Sequence, residues 1–231
     1  SPPSQSCRTL AVILPKIVEK EKFIKNAIEE ILNPTLEITK QYLEVLEVEF
    51  ENGKPKIERY ENDSNQNFVA VYFPIKEEEF FIEIHLTKNA EIDSVWIQNA
   101  HKTYFSATSE NLTYSELEKL LQKEHTEGWS KGELRKNGKS KYTFSRINYE
   151  PNKSKCYELN KHLEELLTEL EKNRENILKL TEKANAYISV CKYQYVSGNA
   201  GINFDNKLIE RLAKLNLGID IDTYIVGEPI K

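Results

Sequence analysis

The residues best suited to binding chemistry lie in one polar loop, residues 127–141, which reads EGWSKGELRKNGKSK. Glycines let a backbone approach an anion closely, and a tryptophan beside cations offers stacking together with charge. Loops of this length are often functional. We therefore take Trp129, Lys131, Arg135 and Lys136 as candidate partner-binding or ligand-binding residues. The alternative is a packed structural loop that Trp129 anchors.

A second candidate lies in residues 218–226, which read GIDIDTYIV. Side chains alternate between the two faces of a strand, so Asp220, Asp222 and Tyr224 should share one face while the isoleucines point to the core. Two carboxylates suit a hard cation but supply too few of its oxygen ligands. We predict a solvated strand face, or contact with the lysine-rich loop, and no metal.

No catalytic set emerges from the remaining reactive residues. Cys7, Cys156 and Cys191 are widely spaced and odd in number, which fits neither a disulfide framework nor a zinc site and favours a reducing cytoplasm. We predict that His162 is a packing residue on the inward face of its helix and that His85 points to solvent from a strand. There is no Gly-x-Ser-x-Gly elbow. The sequence thus predicts a protein without enzymatic activity or cofactor, and an enzyme that uses the aspartates with a metal ranks last.

The elements that position these candidates predict an α+β fold with two domains, residues 1–100 and 101–231. In the first domain, Ile24, Ala27, Ile28 and Ile31 recur at the spacing of one helical face. Extended patterns at 9–14, 42–50, 68–73, 80–87 and 92–98 predict strands, of which 42–50 is also compatible with helix. The first domain is therefore predicted as an N-terminal helix plus an antiparallel meander.

The second domain alternates helices with strands. Thr113 and Glu116 form a capping-box pattern ahead of a helix, and four leucines at 159, 163, 166 and 170 line another. A capped helix at 205–215 precedes the strand at 218–226, and further strands are predicted at 104–107, 142–147 and 186–196. A mixed sheet covered by helices accommodates this order.

Charge limits the class of partner. The 231 residues carry a net charge of -5, divided into -7 over residues 1–100 (11 Lys and Arg against 18 Asp and Glu) and +2 over the rest (21 against 19). An acidic first half argues against nucleic acid and suits a basic protein surface. The mean hydropathy of -0.61, without a long apolar run, argues against a membrane span.

Three blocks carry a family resemblance: TYFSATSENLTYSELEKLL from Thr103, GWSKGE from Gly128 and LIERLAKLNLGIDIDTY from Leu208. Together they resemble a bacterial domain family of unknown function that is marked by a Lys-Gly-Asp or Lys-Gly-Glu loop and a terminal Ile-Asp-Ile-Asp-x-Tyr strand, here residues 103–226. The resemblance implies an α+β domain that is sometimes encoded near polymorphic-toxin loci, where small acidic proteins serve as immunity partners.

These observations lead to two hypotheses. The first is a cytoplasmic protein-binding module of the immunity type, which neutralises a toxin by binding it. A toxin with a basic surface is one candidate partner. The second is a small-ligand or nucleotide sensor in which Trp129 stacks on a base and the cations of loop 127–141 hold phosphate.

Overall fold

The computed structural model describes residues 5–63, 65–151 and 158–230. Its contacts divide the chain into two units. The first unit contains Ser1–Asn99, Gln194–Asn199 and Ile225–Lys231, and the second contains Ala100–Tyr193 and Ala200–Tyr224. Both units combine helices with β-strands, which confirms the predicted α+β class. Within the described ranges, no helix is long and apolar enough to cross a membrane.

The first unit contains two helices, a small hairpin and an antiparallel meander. Its elements are α1 (Gln5–Leu32), α2 (Glu37–Val45), β1 (Phe50–Glu51), β2 (Lys54–Pro55), β3 (Arg59–Glu61), β4 (Phe68–Pro74), β5 (Phe80–Thr87) and the first part of β6 (Ile92–Ser109). β1 pairs with β2, and β3, β4, β5 and β6 pair in that order, every pair antiparallel. The predicted meander is therefore confirmed.

Apolar side chains at the helical and strand periods build the core of the first unit. On α1, Phe23, Ala27 and Ile31 follow one another at intervals of four residues and are buried, as are Ile82 and Ile84 on β5. After α1 the chain turns around the buried carboxylate of Glu30. This carboxylate accepts hydrogen bonds from the Thr35 backbone N–H at 3.0 Å and from the Thr35 hydroxyl at 2.6 Å. The turn thus satisfies backbone donors at the start of α2.

Two short segments differ from the prediction. Residues 9–14, predicted as a strand, lie within helix α1, and residues 42–45 belong to helix α2. A short apolar run looks the same in a buried strand and in a buried helix, so periodicity alone does not separate the two.

The prediction that His85 points to solvent is wrong. Its ring stacks on Phe68 at 4.0 Å between centroids, and its Nε2 lies 2.6 Å from an Oε1 of Glu83. Glu83 is itself buried and accepts a hydrogen bond from the Tyr72 hydroxyl. The outer face of β4 and β5 thus carries a hydrogen-bonded polar cluster, which strand alternation by itself does not reveal.

The second unit packs four helices against one face of a mixed sheet. Its elements are the rest of β6, α3 (Tyr114–Leu121), β7 (Thr126–Trp129), β8 (Ser145–Tyr149), α4 (Leu159–Glu171), α5 (Arg174–Thr181), β9 (Asn185–Tyr195), α6 (Asn206–Lys214) and β10 (Gly218–Val226). β6 pairs antiparallel with both β8 and β9, and β7 pairs antiparallel with β8.

Strand β10 makes this sheet mixed and forms its edge. It neighbours β9, with Gly218 beside Tyr187 and Tyr224 beside Tyr193, so the two strands run in the same direction. Helix α6 connects them, and the Asp205 carboxylate caps it by accepting a hydrogen bond from Leu208 N–H at 2.8 Å. The predicted helix, glycine stop and strand are confirmed.

Leucines from the helices fill the core of the second unit. Those predicted on one face of α4 are all buried there, and Thr113 forms the predicted capping box with Glu116 at the start of α3. The leucines of α4, including Leu167, pack against Phe105, Ile147 and Ile188 of the sheet. Burial of these apolar side chains is the main force that holds the helices on the sheet.

We expect Leu167→Ala to lower the free energy of unfolding by about 2–5 kcal/mol, because it leaves a cavity in this core. Leu134→Ala is the matched control. That side chain is 63% exposed, so its loss should change the free energy by less than about 0.5 kcal/mol. Urea denaturation followed by circular dichroism measures both, and equal effects would contradict the assignment of this core.

A cluster of basic side chains lies on the helix-covered side of the sheet. His101 on β6 is opposite Lys192 on β9, and its buried Nδ1 has no hydrogen-bond partner within the described part of the chain. Burial, together with the charges of Lys192 and His162, lowers the pKa of His101 from 6.5 to about 4. Burial also lowers the pKa of His162, which is half-buried on α4. His101 is therefore neutral in the folded protein at neutral pH.

This lowered pKa predicts a pH-dependent stability. Between about 6.5 and about 4 the unfolded chain takes up a proton at position 101 and the folded chain does not. The free energy of unfolding should therefore be greatest above pH 6.5 and fall by about 1–3 kcal/mol as the pH drops through this window. His101→Asn should remove that loss, whereas His125→Asn, at an exposed histidine, should retain it. Urea denaturation at stepped pH provides the measurement, and an unchanged slope in His101→Asn would contradict the prediction.

Candidate functional site

The sheet of the second unit carries polar and aromatic side chains on the face opposite its helices. We call this the polar sheet face. Because side chains alternate along each strand, it contains every second residue of the strands whose other residues form the core. Its members include Trp129 of β7, Arg146 and Asn148 of β8, Glu150 just after β8, Lys102, Tyr104 and Ser106 of β6, Ser189, Cys191 and Tyr193 of β9, and Asp222 and Tyr224 of β10.

Arg146 lies at the centre of a hydrogen-bonded network on this face. Its Nε donates to Asn148 Oδ1 at 2.8 Å and to Ser106 Oγ at 2.9 Å, and the Ser106 hydroxyl donates to the same Asn148 oxygen at 3.0 Å. Its Nη2 lies 3.4 Å from the Tyr104 hydroxyl. Arg146 is half-buried, and it takes part in none of the ion pairs found in the described ranges. The groups that accept hydrogen bonds from Arg146 are therefore all neutral.

Two aromatic rings flank the guanidinium group. The Arg146 Cζ lies 5.8 Å from the ring centroid of Tyr104 and 5.8 Å from that of Trp129. Such distances allow cation–π attraction and reduce the access of water to the charge. Burial also raises the pKa of the Tyr104 hydroxyl, which therefore stays protonated at neutral pH.

Trp129 is fixed by its own contacts. Its indole Nε1 donates to the Phe144 carbonyl at 3.1 Å, and its ring stacks on Tyr142 with 4.3 Å between centroids and an interplanar angle of 15°. The guanidinium of Arg135 lies over the other partner in this stack, Tyr142, at 5.3 Å. Trp129 therefore ends strand β7 and at the same time anchors the segment that follows.

That segment is an ordered hairpin, residues 130–144, which we call the cationic hairpin. Backbone hydrogen bonds join Gly132 N–H to Tyr142 O and Arg135 N–H to Ser140 O, and Gly138 closes the turn with a positive φ of 66°. Every residue from 131 to 141 is exposed. These eleven positions hold five cations and one carboxylate, a net charge of +4. They are Lys131, Glu133, Arg135, Lys136, Lys139 and Lys141.

The structure divides the predicted site residues between these two features. Trp129, Asp222 and Tyr224 lie on the polar sheet face, and Tyr224 stacks on Tyr193 at 5.4 Å. Strand alternation puts Asp220 on the same side of β10, where it is exposed.

The three predicted cations lie on the cationic hairpin. Lys131 is partly engaged, because its Nζ donates to the Glu110 carbonyl at 3.2 Å. Arg135 and Lys136 are exposed at the turn and take part in none of the ion pairs within the described ranges.

The prediction for the β10 isoleucines holds only in part. Ile219 packs against the core, whereas Ile221 is 40% exposed. The reason is that β10 is the edge strand of the sheet. The short charged side chains along it suit that position, since charge discourages pairing with a further strand.

Sequence reasoning missed Arg146, Asn148, Tyr104 and Ser106. Their contacts join β6 to β8 across 40 or more positions of sequence, so no local motif marks them. The available signal was a polar and aromatic alternation within two predicted strands, and it identifies a face without identifying the register between the strands.

The cysteines make no reactive site where the structure describes them. Cys191 is a free, buried thiol, and burial raises its pKa, so it stays protonated and unreactive. Cys156 and the side chain of Cys7 lie outside the described residues.

Cavities open on the second unit. One of about 230 Å³ lies on the polar sheet face and is lined by Tyr104, Asn148 and Tyr193 among others. Another, of about 1010 Å³, lies beside α4, and its lining includes five glutamates together with Lys123 and Lys161. In the part of the chain that the structure describes, no three His, Cys, Asp or Glu side chains are grouped to hold a metal ion.

Comparison with known proteins gives one match. The model of a family described as a domain of unknown function, DUF4279, matches residues 99–226. That region contains the polar sheet face and the cationic hairpin. The chain matches none of the curated proteins and none of the solved structures.

Gly128 allows β7 to pass close to its neighbours at the base of the hairpin. A Cβ at this position would collide with the Arg146 carbonyl oxygen and would lie 2.7 Å from Cδ2 of Tyr114. The backbone carbonyl has no room to move, because β7 and β8 are hydrogen-bonded there. The position therefore requires glycine for close packing.

We expect Gly128→Ala to destabilise the protein by about 1–3 kcal/mol through this collision. It should also displace Trp129 and so change the tryptophan emission. Gly201→Ala is the control, because nothing lies within 4 Å of the added Cβ there. Urea denaturation followed by fluorescence compares the two, and an equally stable Gly128→Ala protein would show that the strands can separate without cost.

Proposed function

Because the chain belongs to the DUF4279 family through residues 99–226, and that family is one of unknown function, we propose its role from geometry: a non-enzymatic protein-binding module that engages its partner with the cationic hairpin. The observation that carries this proposal is the ordered cationic hairpin, whose residues 131–141 are all exposed and carry a net charge of +4 on a chain whose net charge is -5.

The arm suits binding because its order exists before the partner arrives. Five backbone hydrogen bonds and the stacked Trp129 and Tyr142 rings hold it, so association costs little further conformational entropy. Its cations at 135, 136, 139 and 141 have no ion-pair partner within the described ranges. Exposed charges of this kind accelerate encounter with an acidic surface and impose a salt dependence on it.

We further propose that the module is an immunity-type protein of a bacterial cytoplasm and that its partner is a toxin which it neutralises by occlusion. The resemblance to a family found near toxin loci supports this proposal, as does the acidic first half with its net charge of -7. That half offers a complementary field to a basic toxin.

The sensor hypothesis receives less support from the geometry. A nucleotide base would have to stack on Trp129, but Tyr142 already occupies one face of that ring and the Arg146 guanidinium lies over the ring as well. Two of the hairpin cations are also already engaged, since Lys131 donates to the Glu110 carbonyl and Arg135 lies over Tyr142.

The test begins with affinity capture from native lysate, followed by binding measurements on the purified partner. The hairpin variant Arg135→Glu/Lys136→Glu should weaken binding by about tenfold or more and reduce its salt dependence, because two attractive charges become repulsive. Arg174→Glu/Lys179→Glu is the matched control. It makes the same four-unit change of charge at exposed positions of α5 and should bind as the wild type does.

Trp129→Ala is a poor probe for this purpose, because loss of its stack on Tyr142 would disorder the arm itself. The immunity proposal adds a cellular outcome. Expression of the captured partner should arrest growth, the wild-type chain should restore it, and the hairpin variant should not. Equal binding by the hairpin and control variants would remove the hairpin from the interface, and a partner harmless to cells would exclude the immunity role.

A further inference from the structure

Arg146 is an oriented cation that forms no ion pair within the described ranges. Its Nε is committed to Ser106 and Asn148, which sets the plane of the guanidinium group. Nη2 has only the Tyr104 hydroxyl, at 3.4 Å, and Nη1 has no acceptor within the described part of the chain. The guanidinium is half-buried, so these N–H groups can be reached from solvent. A fork that is held in one orientation and keeps accessible donors can bind an anion with little further ordering.

The geometry of the donors selects the ligand's chemistry. An arginine fork matches the two oxygens of a carboxylate or of a phosphate. The same face carries negative charge at Glu127, Glu150 and Asp222, and Lys102 is already paired with Glu150 at 3.3 Å. A dianionic phosphate would meet this repulsion more strongly than a singly charged carboxylate, whose charge matches that of Arg146, a cation with no ion pair within the described ranges.

The surroundings strengthen such a pair. Trp129 and Tyr104 flank the guanidinium and limit its hydration, and an ion pair gains strength as water is removed. The Tyr104 hydroxyl accepts from Nη2 and so helps to hold the fork in place. Ser106 and Ser189 are buried small side chains in the middle of the sheet, so hydroxyl groups lie beneath the guanidinium, between the rings of Tyr104 and Trp129.

We infer that Arg146 is a binding site for one carboxylate group on the polar sheet face. The carboxylate comes either from an acidic side chain of a protein or from a free carboxylic acid, since both present the same chemistry. This inference goes beyond the proposed function: it concerns the sheet face and not the hairpin cations, and it holds for the isolated chain.

The chain offers its own reporter. It has two tryptophans, and Trp96→Phe leaves only Trp129, which is beside Arg146. In this background we would titrate acetate, N-acetylglycine, a capped alanine-based peptide with one central glutamate and phosphate, each at constant ionic strength against chloride. The three carboxylates should change the Trp129 emission saturably, and chloride should not. Phosphate binding as tight as carboxylate binding would overturn the assignment of ligand class.

Arg146→Lys keeps the charge and removes the fork. It should weaken carboxylate binding by about tenfold or more, because a hydrogen bond between charged groups is lost. Arg174→Lys, at an exposed arginine on α5, should leave the affinity unchanged. If Arg146→Lys does not fold, the ¹⁵Nε–Hε resonance of Arg146 in the otherwise native chain gives the same information. An unmoved resonance under acetate, or equal binding by Arg146→Lys, would overturn the inference.

The titrations also separate the two sources. N-acetylglycine binding as tightly as the single-glutamate peptide supports a free carboxylic acid, and peptide binding at least about tenfold tighter supports an acidic side chain of a protein. Because no protein partner is needed, a failed hairpin test leaves the carboxylate site standing, and a failed titration leaves hairpin docking standing.

Discussion

The two-residue alternation along the strands of the second unit is the constraint on which its other features depend. Phe105 and Ile147 face the helices, so their neighbours Ser106 and Arg146 must face the other way. Burial of the apolar set against α3 to α6 fixes the register, since a slip of one residue would bring arginine into the core and expose the leucine-packed face. The same burial that stabilises the fold therefore aligns the polar network on the opposite face. Arg146, Asn148 and Ser106 can bond only because the register brings them together.

Trp129 connects the two functional features. Through strand pairing it is opposite Arg146, and through its ring it supports Tyr142 of the cationic hairpin. Gly128 lets β7 approach closely enough for both contacts to exist. The arm and the arginine receptor thus share one rigid base. A ligand that shifts the Trp129 ring would also shift Tyr142 of the hairpin, because the two rings are in direct contact.

Local signals made part of this architecture predictable. The Asp205 cap, the buried leucines of α6 and the stop at Gly218 are all encoded within a few residues of one another, and the helix and strand they predict are both present. The Thr113 capping box is of the same kind. The predicted strand at 9–14 failed because its apolar run carries no such terminal signal, and it lies in α1.

The site was less accessible to sequence reasoning than the fold. Trp129, with the cations after it, was visible as a composition, but its stack on Tyr142 was not. Arg146 was invisible as a site residue, because what makes it unusual is that it forms no ion pair within the described ranges, and that depends on which strands meet. A residue 40 positions away in sequence, Ser106, decides the direction of its side chain.

Net charge is a weak guide to what this chain binds. The overall -5 conceals a +4 arm and a cation enclosed by aromatic rings. At physiological salt, charges are screened beyond about 8 Å, so an approaching molecule responds to the surface nearest to it and not to the sum. The flexible charges of the arm suit attraction over distance, whereas the oriented fork of Arg146 acts only on contact and discriminates by geometry. Attraction and discrimination are thereby assigned to different residues of one domain, and Trp129 holds both groups in place.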